Sequence, residues 1–150
     1  MKRLIVTADD FGMTDGVCAG IVEAMERGIV TQTSAMVCRA GDAERVRRWA
    51  PRVRGRLGVH LQITDGTPCL PPDRVRSLVD ALGAFPRSRK ELMHPDPMEV
   101  KEEWRAQWQR ARQLGFEPAH FDSHHHVHMS FLLLPAIAAV ARAAGAGARS

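Results

Sequence analysis

Apolar residues recur along this chain in two rhythms, short runs that suit strands and wider stripes spaced for helices. Residues 3–8, RLIVTA, make a compact apolar run and predict a buried strand. Thr14 then caps a predicted helix reaching about Gly28, with Val17, Ile21, Ala24 and Met25 on one face. TQTSAMV at 31–37 predicts a second strand, and 42–50 a second helix. Residues 57–63, LGVHLQI, alternate cleanly: Leu57, Val59, Leu61 and Ile63 face one way, Gly58, His60 and Gln62 the other. The stretch 64–97 is punctuated by Pro and Gly and holds a predicted short helix near 73–82. Asp96-Pro97 opens a long helix to Gly115 with a stripe of Val100, Trp104, Trp108 and Ala111, because Pro suits the first helical position and Gly the residue past the end. A strand at AHFD and a last helix over about 131–144 complete the series. This alternation predicts parallel strands joined by crossover helices, an α/β domain.

Composition narrows what such a domain does. With 150 residues, 45% hydrophobic and 25% charged, the chain can bury a core. The apolar part of KRLIVTADD is too short for a signal-peptide core, and FLLLPAIAAVA, interrupted by Pro135, is too short to span a bilayer. No membrane partner is expected. Cys18, Cys38 and Cys69 are odd in number and share no close spacing, which suits reduced thiols in a cytoplasmic protein. The net charge of +4 comes mostly from RVRRWAPRVRGR. Strand-tracking proteins add aromatic stacking platforms to such a run, whereas aromatics here are 5% and Tyr is absent. The run reads as a solvated helix face and loop, so a nucleic-acid partner is not expected.

The polar residues change the picture more. FDSHHHVHM, residues 121–129, holds four of the seven histidines. Asp9 and Asp10 follow the first predicted strand, His60 lies near the end of the third, and Asp122 to His128 follow the fourth. In parallel α/β folds the carboxyl ends of the strands are where sites are built, so these groups share one rim. Each has a blander reading alone: Asp-Asp as a helix cap, His60 as a hydrogen-bonded core residue, the histidine run as a surface loop. Together they form a cluster that burial tolerates only when paired or metal-bound. Two His nitrogens and one carboxylate oxygen hold a divalent cation with positions left open, and a second carboxylate can serve as base.

TADDFG at 7–12, GVHLQIT at 58–64 and HFDSHHHVHM at 120–129, with GIVTQTSAMV between the first two, resemble the signature motifs of the YdjC-like carbohydrate deacetylases, which include chitooligosaccharide deacetylases. The resemblance implies a partial TIM-barrel-like (β/α) barrel and metal-dependent hydrolysis of N-acetyl groups on amino-sugar oligosaccharides. It implies Asp10, His60 and His124 as metal ligands and Asp9 as general base. Asp122, His126 and His128 would stand behind the ligands or face substrate. The cation would be magnesium or zinc, with manganese or cobalt also compatible. Rival readings are an amidohydrolase or phosphoesterase, which commonly carries H-x-H where ADD stands here, and a metal-binding chain without turnover.

The resemblance covers residues 2–149, but members of that family are substantially longer, and this chain stops at GAGARS where a further strand is expected. A complete barrel takes roughly 250 residues. Residues 1–150 are therefore expected to form one C-terminally truncated domain. Its open sheet edge would favour a homo-oligomer.

Overall fold

A computed structural model describes residues 4–145 and 147–148. Among them, strands β1 (Thr7–Phe11), β2 (Gln32–Ala35), β3 (Leu57–Leu61), β4 (His120–Ser123) and β5 (Gly147–Ala148) form one parallel sheet in the order β1-β2-β3-β4-β5. Helices α1 (Asp15–Arg27), α2 (Asp42–Trp49), α3 (Pro97–Gln113) and α4 (Leu134–Ala144) connect them. Parallel neighbours need such crossovers, because a hairpin cannot return the chain to the same end of the sheet.

Local chemistry accounts for the helix starts. Thr14 accepts a hydrogen bond from Val17 N at 3.1 Å, and Asp96 accepts one from Met98 N at 2.8 Å with Pro97 next in line. Apolar stripes then dock the helices. Cys18, Ile21, Val22 and Met25 of α1 pack with Val46 of α2, Phe11, Ala35 and Leu57. Val100, Trp104, Trp108 and Ala111 of α3 pack on Val59, Leu61 and Phe121, with the Trp108 and Phe121 rings edge-to-face at 6.3 Å.

β3 is buried on both faces, so only its alternation, not its exposure, separates the two sides. Val59 faces the helices, and Gly58 and His60 face away. A Cβ on Gly58 would lie 2.6 Å from His120 ring atoms and from the His120 carbonyl, so glycine is what lets β3 and β4 approach here.

Several boundaries differ from expectation for identifiable reasons. The first strand occupies Thr7–Phe11, not 3–8. Leu4 and Ile5 are 78% and 67% exposed, and the ladder instead runs on through Asp9 and Asp10. Those carboxylates therefore lie inside β1, and Asp122 lies inside β4, rather than after their strands. Near 73–82 there are two 3₁₀ turns, Pro72–Arg74 and Arg76–Leu78, in place of a helix. Val75 at φ −137°, ψ 44° and Val79 at φ −126°, ψ 154° leave the helical region, so each turn stops after three residues. The last helix begins at Leu134, after a 3₁₀ turn over Phe131–Leu133. No helix of the described residues is long and apolar enough to cross a membrane.

Candidate metal centre

β1 would ordinarily send Asp9 and Asp10 to opposite faces. Its pairing with β2 prevents this. Ala8 pairs with Thr33 but Phe11 with Ala35, so three steps on β1 match two on β2, and Asp10 absorbs the extra residue at φ +64°. Both carboxylates consequently reach the same imidazole: Asp10 groups with His60 and His124, and Asp9 with His60 and Asp122, each set with ligand atoms within 4.8 Å.

Three atoms from three strand ends converge. Asp10 Oδ1 lies 3.2 Å from His60 Nε2 and 3.2 Å from His124 Nδ1, and the two ring nitrogens are 3.3 Å apart. A cation held about 2.0–2.1 Å from each of three such atoms in tetrahedral array separates them by about 3.3–3.4 Å, so the triangle has the dimensions of one face of a metal site. Asp10 Oδ1 is buried, and among the described residues no N–H is aligned on it as a hydrogen bond despite the two nearby rings. The residues present fit a divalent cation.

The orientations of the two imidazoles are set from behind. His60 Nδ1 is 2.6 Å from Asp122 Oδ1, and Ser34 donates to Asp122 Oδ2 at 3.0 Å. A carboxylate oxygen accepts, so Asp122 holds the Nδ1 proton and turns Nε2 toward the triangle, where it can offer a lone pair once its own proton has left. His124 sits 3.9 Å through Nε2 from Asp65 Oδ2, and Arg39 holds that same oxygen at 2.9 Å. Its ring also lies against that of His125, with centroids 4.0 Å apart.

Electrostatics follow the packing. The His124 and His60 rings hold the Asp10 carboxyl well below the ordinary range. Burial works against charge on His60, but the carboxylates of Asp10 and Asp122 at its two nitrogens outweigh it and lift the ring to about 9. Burial first, then neighbouring His124, pushes His125 below its ordinary value.

The histidine run does not act as one unit. His124 and His128 are buried, while His125 and His126 are exposed and adopt φ +54° and +52°. Two successive left-handed residues fold the run back on itself. His128 contacts Ser123, with Nδ1 2.6 Å from Oγ, and lies outside the triangle; the His126 ring stands 6.3 Å from that of His128. Ser34, Arg39, Asp65 and His125 also belong to the surroundings of the site, although the sequence reading did not select them. The Asp65-Gly66 pair after GVHLQIT reads as a turn, and only its place on the His60 rim signals more.

Comparisons with known proteins place the chain in a family. The profile of the YdjC-like protein family matches residues 3–150. The chain is 40% identical over 135 residues to a carbohydrate deacetylase of Brevibacillus brevis, covering 90% of this chain and 54% of that protein. It is 38% identical over 149 residues to a chitooligosaccharide deacetylase of Serratia marcescens, covering 96% and 57% respectively. A crystal structure from Enterococcus faecalis V583, of a protein provisionally described as a cellobiose-phosphate cleavage protein, superimposes with a TM-score of 0.88 at 38% identity, over 99% of this chain and 59% of that one. The chain thus spans little more than half the length of these relatives. With its three motifs on one rim and a family match running nearly end to end, the chain belongs to the YdjC-like protein family.

Proposed function

We propose that this chain carries the metal centre and the base of a hydrolase that removes N-acetyl groups from amino-sugar oligosaccharides. The observation that carries the reading is the convergence of Asp10 Oδ1, His60 Nε2 and His124 Nδ1 at 3.2–3.3 Å. Relatives named carbohydrate deacetylase supply the reaction class.

Asp10, His60 and His124 would hold the cation, zinc or magnesium, with manganese or cobalt also suited to the set. When bound, such an ion polarises a carbonyl oxygen and makes water more acidic. The remaining work falls to the chain's own groups. Asp122 fixes the His60 tautomer and is itself steadied by Ser34. Asp9, whose carboxylate stands within 4.8 Å of the His60 and Asp122 atoms, takes the proton from the water that attacks the amide carbon. The C–N bond then breaks and the sugar amine departs with a proton. His126 and His128 are assigned to the substrate side and to support of the rim.

Strand order also supports a barrel. Doubly wound sheets reverse their order at a switch point, whereas β1 to β5 run in chain order across the sheet. That is the order of consecutive staves in a (β/α) barrel, and an open edge of such a sheet would favour self-association.

The test pairs metal analysis with acetate release from a panel of N-acetylated oligosaccharides. Asp9→Asn should keep metal occupancy while kcat falls by about 10²–10⁴-fold, the usual contribution of a positioned base. Wild-type turnover in Asp9→Asn with metal bound would end this assignment.

A further inference from the structure

Outside the metal centre, Cys38 and Cys69 come together from elements far apart in sequence. Cys38 follows β2 and Cys69 sits in the loop after β3, yet their sulfurs are 3.4 Å apart. Both ends are pinned. Thr67 Oγ1 donates to the Cys38 carbonyl at 3.0 Å, and Glu103 accepts from Cys69 N at 2.8 Å and Leu70 N at 3.0 Å.

Glu103 completes a possible three-ligand set with the two thiols. Its oxygens are already committed, however, to those two amides and to Gln107 Nε2 at 2.8 Å. A cation there would have to break a satisfied buried network, whereas a bond between the sulfurs leaves it intact. The two thiols also differ in access. Cys38 is 7% exposed and Cys69 is half-buried, so a reagent from solvent meets Cys69 first. Cys18 lies apart, fully buried against Gly12 N at 3.2 Å.

We propose that Cys38 and Cys69 form a reversible dithiol–disulfide site, oxidised by a small-molecule disulfide. Cys69 Sγ, as thiolate, attacks one sulfur of the small disulfide; that S–S bond breaks, and the departing thiolate takes up a proton. Cys38 Sγ then attacks Cys69 Sγ in the mixed disulfide and expels the second small thiol, which carries away the proton of Cys38. Two protein thiols are oxidised and one small disulfide is reduced to two thiols. Burial raises the Cys38 thiol above its ordinary value, which fits its part as the second, intramolecular partner. The new bond fastens the loop bearing Asp65 to the end of β2, beside Arg39, which holds Asp65.

Oxidised glutathione is the probe. After exposure of the folded chain, peptide mapping should show Cys38 and Cys69 cross-linked, a mass lower by two hydrogens, and reversal by dithiothreitol. Cys18 should remain free for alkylation once the chain is denatured. Cys38→Ser should stop at a glutathione adduct on Cys69, and Cys69→Ser should stay unmodified. A lasting adduct on Cys69 in the wild-type chain, a cross-link through Cys18, or no loss of thiols would each overturn the proposal.

Discussion

Two buried polar clusters stand near the carboxyl ends of the strands, and they are built on opposite principles. In the first, Glu103 and Gln107 of α3 are fully buried and every polar side-chain atom is used. Gln107 clamps the Gln62 backbone, accepting from its N at 2.8 Å and donating to its O at 2.6 Å, and Glu103 takes three donors. In the second, Asp10 Oδ1, His60 Nε2 and His124 Nδ1 lie 3.2–3.3 Å from one another and leave a buried carboxylate oxygen without an aligned donor. A satisfied cluster stabilises the fold; an incompletely satisfied one is held in place by its surroundings and is where the proposed cation would sit. Residue type alone would not separate them, since each contains an acid beside nitrogen groups.

The largest effect should come from breaking the satisfied cluster. Glu103→Ala strands two amides and an amide side chain, and should cost about 3–5 kcal/mol in urea unfolding, at roughly 1–3 kcal/mol per buried unpaired group less what entering water recovers. Metal affinity should change little. A variant that melts like wild type would mean that the network is ornamental.

The second effect separates support from ligation. Asp122→Asn leaves the three proposed ligand atoms in place but weakens the hold on His60, and should lower metal affinity by about 10–100-fold. His124→Ala, which deletes a ligand, should lower it further. Equal losses in the two variants would contradict the division between ligand and support.

The smallest effect is one of pH. Burial raises the Glu103 carboxyl above its ordinary value of 4.5, against the pull of its hydrogen bonds. The folded chain therefore binds that proton more tightly than the unfolded chain. This contribution to stability is complete below the ordinary value and is lost as pH rises through the folded one. Melting temperatures of wild type and Glu103→Gln, compared across that interval, should diverge in slope. Parallel curves would show that Glu103 does not titrate there.

Much of the fold was legible because periodicity records burial. The α3 stripe and both caps lie where the spacing placed them, whereas α1 is turned slightly, burying Cys18 and Val22 with Ile21 and Met25 and leaving Val17 and Ala24 half-buried. The first strand was misread for the same reason inverted: RLIVTA is apolar, but Leu4 and Ile5 meet no covering element among the described residues, while the charged ADD lies in the ladder. The three motifs brought Asp9, Asp10, His60, Asp122 and His124 to one rim. What escaped was whatever depends on backbone reversal. His125 packs on His124 while His126 turns out, because two left-handed residues break any periodic reading of HHHVH. Arg39 and Asp65 meet across 26 positions of sequence, a separation that no local pattern encodes.

The extra residue in β1 also decides how the candidate metal centre can be interrogated. A strand has parity, odd positions to one face and even to the other, and the irregularity at Asp10 switches that parity between Ala8 and Phe11. Deleting Ala8 would restore the even count and turn one carboxylate away from His60, however conservative the deletion looks on paper. Substitution carries its own confusion, since a left-handed backbone costs most residues about 1–2 kcal/mol but is readily adopted by Asn. Asp10→Ala thus mixes lost ligation with a strained main chain, whereas Asp10→Asn changes the donor chemistry and leaves the bend as it was.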